Sequence, residues 1–299
     1  MRIVSLLPAA TEMACAIGLG DQLVAVTHEC DFPVTVSSLP SVTRTRIPTS
    51  ASSAEIDRLV RDQLQTEAAL YSLDPDGFAR AEPDLILTQA LCDVCAVAES
   101  EVQRAIESLP IKPMIVNLEP NRLEDVLAGL RTIGAAADRI HEATAAIDRL
   151  RARIDLVRER AEANPNRPRT LLLEWIDPFF SAGHWNPELI ELAGGEPLLG
   201  KAGERSRTLT WESLRDADPE ILVIACCGFD VPRALQDVRI LREQPGWNEL
   251  DCVRTRRVFV ADGSQYFNRP GPRLVDSLEM LAGAIAGKPT DELTVPDLS

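Results

Sequence analysis

The chain has 299 residues, 45% of them hydrophobic, which suits one large or two modest globular domains with a sizeable core. Its 46 acidic residues outweigh 31 lysines and arginines, for a formal charge of −15, so its surface repels nucleic acid and anionic lipid. No apolar run approaches the ~20 residues of a membrane helix, so neither nucleic acid nor membrane insertion is expected.

In chain order, "RIVSL" reads as a strand, "ATEMACAIGLG" as a helix closed by glycine, and "QLVAV" as a second strand. "SSAEIDRLVRDQLQTEAAL" is an amphipathic helix with serine available as its cap. "PDLILT" is a strand, "AVAESEVQRAIESL" a helix and "PMIVNL" a strand. From Arg122 to Asn164 a helical period runs without proline, with Gly129 and Gly134 as early breakers. The part from Asp138 to Ala163 spans roughly 39 Å at 1.5 Å per residue. "TLLLE", "EILVIA" and "RVFVA" are the later strands. "PELIELAGG", "TWESLRDA", "VPRALQDVRILRE" and "PRLVDSLEMLAGAIAG" are the later helices. The last dozen residues read as a loose tail. "EPDLILT" and "DPEILVIA" echo each other, each after a short helical segment. The fold class is α/β, two Rossmann-like lobes with mainly parallel sheets joined by one long helix. The expected division is an N-terminal lobe over 1–118, a bridging helix over 119–164 and a C-terminal lobe over 165–299.

The opening "MRIVSLLPAATE" has no basic region followed by an apolar segment and a cleavage site. Seven cysteines, two of them adjacent (Cys226, Cys227), fit a reducing compartment better than a disulfide framework. The expectation is cytoplasmic, or periplasmic or cell-surface if a signal peptide has been removed.

Eight of the thirteen aromatic residues fall in loops that follow predicted strands: Phe32, Trp175, Phe179, Phe180, Trp185, Phe229, Tyr266 and Phe267. Such loops gather at one edge of a parallel sheet, where ligands bind. Aromatic walls suit a large, flat, partly apolar ligand.

Two stretches hold other chemistry. "THECDFP" places His28, Glu29, Cys30 and Asp31 after a strand, and "LCDVC" places Cys92 and Cys95 after another. His28, Cys30, Cys92 and Cys95 form a one-His, three-Cys set that suits tetrahedral zinc, although the 61-residue gap is not a finger spacing. The plain alternative is buried apolar cysteines. "GHW" around His184 has no evident serine–acid partner and reads as a residue packing near the ligand. The arginines of "NRPGPR" suit amide or phosphate groups of a ligand, or salt bridges to the acidic surface.

"RIVSLLPAATEMACAIGLGDQLVAVTHECDFP", "EPDLILTQ", "LLLEWIDPFFSAGHW", "LIELAGGEPLL" and "DGSQYFNRPGPRLVDSLEMLA" occur in order over nearly the whole chain. Together they resemble the cobalamin-binding members of the substrate-binding proteins of ABC importers. The resemblance implies two lobes bridged by a rigid helix, cobalamin or a related corrinoid held between them, and a binding protein rather than an enzyme. It puts Trp175 against the corrin ring and Tyr266, Phe267 and Arg269 on the ligand's other side; the Phe179–Trp185 loop, with Phe180, is expected to cover the ligand. Glu29 and Gln89 stand where the best-known members carry Tyr and Trp. Glu212 matches an acidic residue used to dock on the importer permease, and Asp76 stands where a glutamate is expected. His28 has a further reading as an axial ligand to cobalt.

The expected function is therefore a corrinoid-binding protein, as an importer component or, with the compartment argument, as a cytoplasmic carrier. The alternatives are a protein binding haem or a ferric siderophore, and a metal- or thiol-dependent enzyme using His28, Cys30, Cys92 and Cys95.

Overall fold

Seven apolar runs of the sequence form parallel strands in the computed structural model, which describes residues 1–48, 51–65, 71–89, 99–107 and 109–297. The chain divides into two compact units, one of Met1–Pro120 with Glu124–Arg149, the other of Asn121–Leu123 with Leu150 onward.

The first unit runs β1 (Ile3–Ser5), α1 (Pro8–Ala16), β2 (Leu23–Ala25), β3 (Thr43–Thr45), α2 (Ser53–Gln65), β4 (Tyr71–Leu73), α3 (Pro75–Ala81), β5 (Leu85–Thr88), α4 (Glu99–Glu107), β6 (Met114–Asn117), α5 (Leu123–Ala136) and the first half of α6 (Ile140–Glu162). Its sheet is parallel in the order β2-β1-β5-β6, with Val4 opposite Ile86 and Leu87 opposite Val116. Val4, Ala25 and Ile86 pack one face of the sheet on Phe78, Val102, Ile106 and Leu109. Continuous apolar runs such as "IVS" and "LILT" are what a strand buried on both faces requires. The antiparallel pair β3–β4 stands apart from this sheet and was not legible, because each strand is three residues long and polar in part.

Neither glycine breaks α5. A Cβ on Gly134 would sit 2.6 Å from the Ala143 Cβ, so the glycine admits α6 at close range. The break comes at Asp138, whose φ of 54° is left-handed. α6 then runs 23 residues, about 35 Å at 1.5 Å per residue. Ala143, Ala146, Ile147, Leu150, Ile154 and Val157 are its buried stripe.

The second unit continues with β7 (Arg169–Trp175), β8 (Phe180–Ser181), α7 (Asn186–Leu192), β9 (Glu196–Pro197), α8 (Trp211–Ala217), β10 (Ile221–Ile224), α9 (Val231–Arg242), α10 (Asp251–Arg254), β11 (Val258–Val260) and α11 (Leu274–Ile285). β11, β10 and β7 are parallel in that order, β8 adds antiparallel to β7, and β9 pairs with β7 as well. Phe180 thus belongs to a strand and not to a loop. Arg153 of α6 is held by Asp276 at 2.5 Å and Glu279 at 2.6 Å, both on α11. The tail is not loose as far as Thr294, which exchanges two backbone hydrogen bonds with Val260 (2.8 and 2.9 Å) over buried Leu293. No described helix is long and apolar enough to cross a membrane.

The echo between the halves is structural. α3 is capped by Asp74, whose carboxylate accepts the Gly77 N–H at 3.1 Å, and α8 by Thr210, whose hydroxyl accepts the Ser213 N–H at 3.2 Å. Each helix has seven residues, ends on a left-handed acidic residue (Glu82 at φ 42°, Asp218 at φ 40°), and leads through a proline into β5 or β10. Asp74→Ala and Thr210→Ala should each cost about 1 kcal/mol of stability by denaturant titration. No loss in either variant would mean that the cap does not hold its helix.

Candidate functional site

In each unit the strand order reverses beside a central strand, at β1/β5 in the first and at β7/β10 in the second. The crevice beyond the carboxyl ends at such a point is where open α/β sheets bind ligands.

In the first unit, β2 leads into Thr27, whose hydroxyl accepts the Glu29 N–H at 3.2 Å and folds the chain into a turn. His28 then faces β3, with its backbone N–H and Nδ1 at 3.1 and 2.7 Å from the Thr43 hydroxyl, and its ring is 5.3 Å from Tyr71. The Tyr71 hydroxyl donates to Glu29 at 2.8 Å. Partial burial lowers the His28 pKa, with Glu29 opposing, so the ring is neutral at pH 7. Cys30 turns the other way. Its Sγ lies 3.1 Å from the Thr11 hydroxyl on α1 and 3.4 Å from that of Thr27. Gln89 is half-buried just past β5, and Phe32 and Val34 are exposed.

His28 and Cys30 therefore do not converge. Cys92 and Cys95 lie outside the described residues, and among the described residues no group of three or more His, Cys, Asp or Glu is placed to hold a metal ion. The zinc expectation gains no support. Burial pushes the Cys15 thiol up to about 11 and Cys252 up to about 12, and raises Cys226 as well, so these thiols are protonated and unreactive at neutral pH.

In the second unit, Trp175 ends β7 and its ring meets Phe229, from the loop after β10, at 4.8 Å. The indole N–H donates to the Asp177 carbonyl at 2.9 Å, which fixes the ring, and the Arg233 guanidinium lies 4.2 Å over Phe229. Trp175 remains half-exposed. Phe179, also half-exposed, is 6.0 Å from Trp211 at the start of α8. After β11, Asp262 accepts the Ser264 and Gln265 N–H groups (2.9 and 2.8 Å) and shapes the loop that carries Tyr266 and Arg269. Arg269 reaches the Ser264 hydroxyl at 3.4 Å, and Arg273 lies 5.4 Å over the Tyr266 ring. Burial raises the Tyr266 pKa.

Two of the expected ligand residues sit in the interior. Phe267 is fully buried, at φ 64°, and its carbonyl accepts the Trp185 indole N–H at 2.6 Å. Trp185 is itself buried against His184 at 5.5 Å. The His184 pKa is lowered by burial and by Arg205, and its Nδ1 is 3.2 Å from Asn121.

The residue that sequence reasoning missed is Glu174. Its carboxylate accepts from the Gly183 N–H at 3.1 Å, Asn186 Nδ2 at 2.9 Å and the Ser206 hydroxyl. Burial raises its pKa, and those three hydrogen bonds only partly offset the rise. The available signal was a charged residue ending the apolar run "TLLL" directly before a tryptophan.

Asp76 and Glu212 occupy the same place, the second residue of α3 and of α8, and both are exposed.

Against known proteins, the model of the periplasmic binding protein family matches residues 3–264. The chain belongs to this family. It is a family of binding proteins. The vitamin B12-binding proteins of Yersinia pestis (strain Pestoides F) and Yersinia pseudotuberculosis (serotype O:1b, strain IP 31758) are each 24% identical over 301 residues, covering 97% of this chain and 88% of their own. The periplasmic vitamin B12-binding protein of Vibrio cholerae superposes with a TM-score of 0.68 at 20% identity, over 96% of this chain and 97% of that one. A periplasmic haem-binding protein from Roseiflexus sp. RS-1 gives 0.71 at 21%, over 96% and 98%. At these identities the solved structures establish the family fold.

The raised Glu174 pKa has a sign that can be checked. Between the ordinary carboxylate value and the raised one, the native state binds more protons than the unfolded chain, so stability falls as pH rises through that window. Glu174→Gln should therefore raise the thermal midpoint at pH 7, with the gain shrinking as pH drops below the ordinary range. Thermal unfolding across pH reads this, and an unchanged midpoint at pH 7 would contradict a charged carboxylate in that environment.

Proposed function

We propose that this periplasmic binding protein takes cobalamin or a related corrinoid and delivers it to an ABC importer, without making or breaking a bond. The observation that carries the reading is its end-to-end similarity to vitamin B12-binding proteins. A half-exposed tryptophan, fixed by its own N–H and backed by a second ring, supports it at the topological switch point. The proposed contacts are Trp175, Phe179, Phe180, Tyr266 and Arg269 in the second unit and Glu29 and Gln89 in the first. Trp185 and Phe267 act beneath them as packing. Glu29 is drawn toward Tyr71 by a hydrogen bond, which gives the first unit a polar and aromatic face in place of a stacked ring.

Titration with cyanocobalamin should give one site per chain and quench tryptophan fluorescence. Trp175→Ala should weaken binding by about 1–3 kcal/mol. Calorimetry with no heat for several cobalamins, together with saturable heat on adding haem, would transfer the protein to the haem-binding reading.

Asp76 and Glu212 are the proposed docking residues. Their equivalent placement supports a pair of matching contacts with a permease, one from each unit. Exposed ion pairs are individually weak, about 0–1 kcal/mol, but two of them set orientation. Asp76→Lys with Glu212→Lys should abolish corrinoid uptake in cells while leaving cyanocobalamin affinity intact. Uptake at the wild-type rate would remove both residues from docking.

A further inference from the structure

The Glu174 carboxylate gathers hydrogen bonds from three pieces of chain in the second unit. Gly183 belongs to the segment leaving β8, Asn186 begins α7, and Ser206 lies in the stretch that runs on into α8. That stretch lies alongside residues 179–184 as an irregular added strand. His184 donates its N–H to Glu204 at 2.6 Å, Ser181 to Arg207 at 2.9 Å, and Leu209 to Phe179 at 2.8 Å, while Phe180 bridges Thr208. The approach is close enough that a Cβ on Gly183 would sit 2.3 Å from the Ser206 nitrogen. Backbone pairing ties the β8 segment to β7 and the added strand to the β8 segment, and the Glu174 carboxylate adds a side-chain tie from β7 to both, through Gly183 and Ser206. Asn186 shows how tight the arrangement is: fully buried, it spends its amide donors on Glu174 and the Phe267 carbonyl (2.9 and 3.2 Å), and its Oδ1 has no hydrogen-bond partner among the described residues. The register of β7 with β8 shifts between Leu173 and Trp175, so Glu174 is the extra residue at an irregular point of the ladder, free of a cross-strand partner there and bonded through its side chain instead.

From this geometry we infer that Glu174 is a positioning residue. It holds Phe179, Phe180 and the Ser206–Thr210 stretch in register with Trp175, so the ligand face and the first turn of α8 move as one piece. The inference rests on the ligand reading above. It assigns the work to hydrogen-bond geometry and not to charge. Glutamine can meet the same three partners, because its carbonyl accepts from Gly183 and Asn186 while its amide donates to the Ser206 hydroxyl, which reverses its role.

The test compares wild type with Glu174→Ala and Glu174→Gln. Hydrogen exchange on the ligand-free proteins should show faster exchange in Glu174→Ala at the Ser181, His184 and Leu209 amides, with α11 unchanged, and wild-type rates in Glu174→Gln. Cyanocobalamin affinity should fall at least about tenfold in Glu174→Ala and stay within about twofold in Glu174→Gln. Unchanged exchange in Glu174→Ala overturns the proposal, as does a Glu174→Gln variant as loose as Glu174→Ala. So does faster exchange with undiminished affinity. If Glu174→Ala does not fold, Ser206→Ala removes one partner from the carboxylate and must loosen the Leu209 amide. If the wild type binds no cyanocobalamin, the corrinoid reading fails alone, and the exchange arm still decides the role of Glu174.

Discussion

The pairing of backbone groups in parallel strands is the constraint on which the remainder depends. Strands such as Ile221–Ile224 and Ile3–Ser5 are buried on both faces, so every amide and carbonyl along them is committed to a neighbour. Side chains inside the sheet can only pack. Chemistry is confined to the point where the strand stops, and the residue types change abruptly there: leucines give way to Glu174 and Trp175, and alanine and valine to Thr27, His28 and Glu29. Local side-chain-to-backbone bonds shape the chain beyond each strand, with Thr27, Asp74, Thr210 and Asp262 each satisfying backbone N–H groups that the sheet or helix leaves open.

Most of the framework was legible because each strand is a short apolar run and each helix an amphipathic one. The parallel pairing followed from their alternation. The parts that escaped are those whose partners are distant and whose own pattern is weak. β3 and β4 are three residues each and find one another across 25 residues. β8 and β9 are two residues each and exist because β7 is long enough to pair with both. Thr294 was unreadable for the same reason. Gly129 and Gly134 misled in the opposite direction, since glycine signals a break when read alone and a close helix contact when its neighbour is known.

The site was legible as a set of aromatics after strands and illegible in depth. Sequence alone separates a strand end from a strand middle, but not an exposed ring from a buried one. Trp175 and Phe179 keep exposed faces, while Trp185 and Phe267, in similar contexts, turn inward and bond to each other. The cysteines show the same limit: Cys30 lies two residues from His28, yet each has separate partners.

The two hydrogen bonds between Thr294 and Val260 have a bearing on solution behaviour. β11 is the last strand on its side of the second sheet, and its residues Val258, Phe259 and Val260 are apolar. A bare edge of that composition is a template for another chain to add on. The strap across Val260, with Leu293 tucked beneath, occupies part of that template within the same molecule. Cutting the chain upstream of Leu293 would uncover it, and the cost would appear as self-association at high concentration rather than as a change in what the protein recognises.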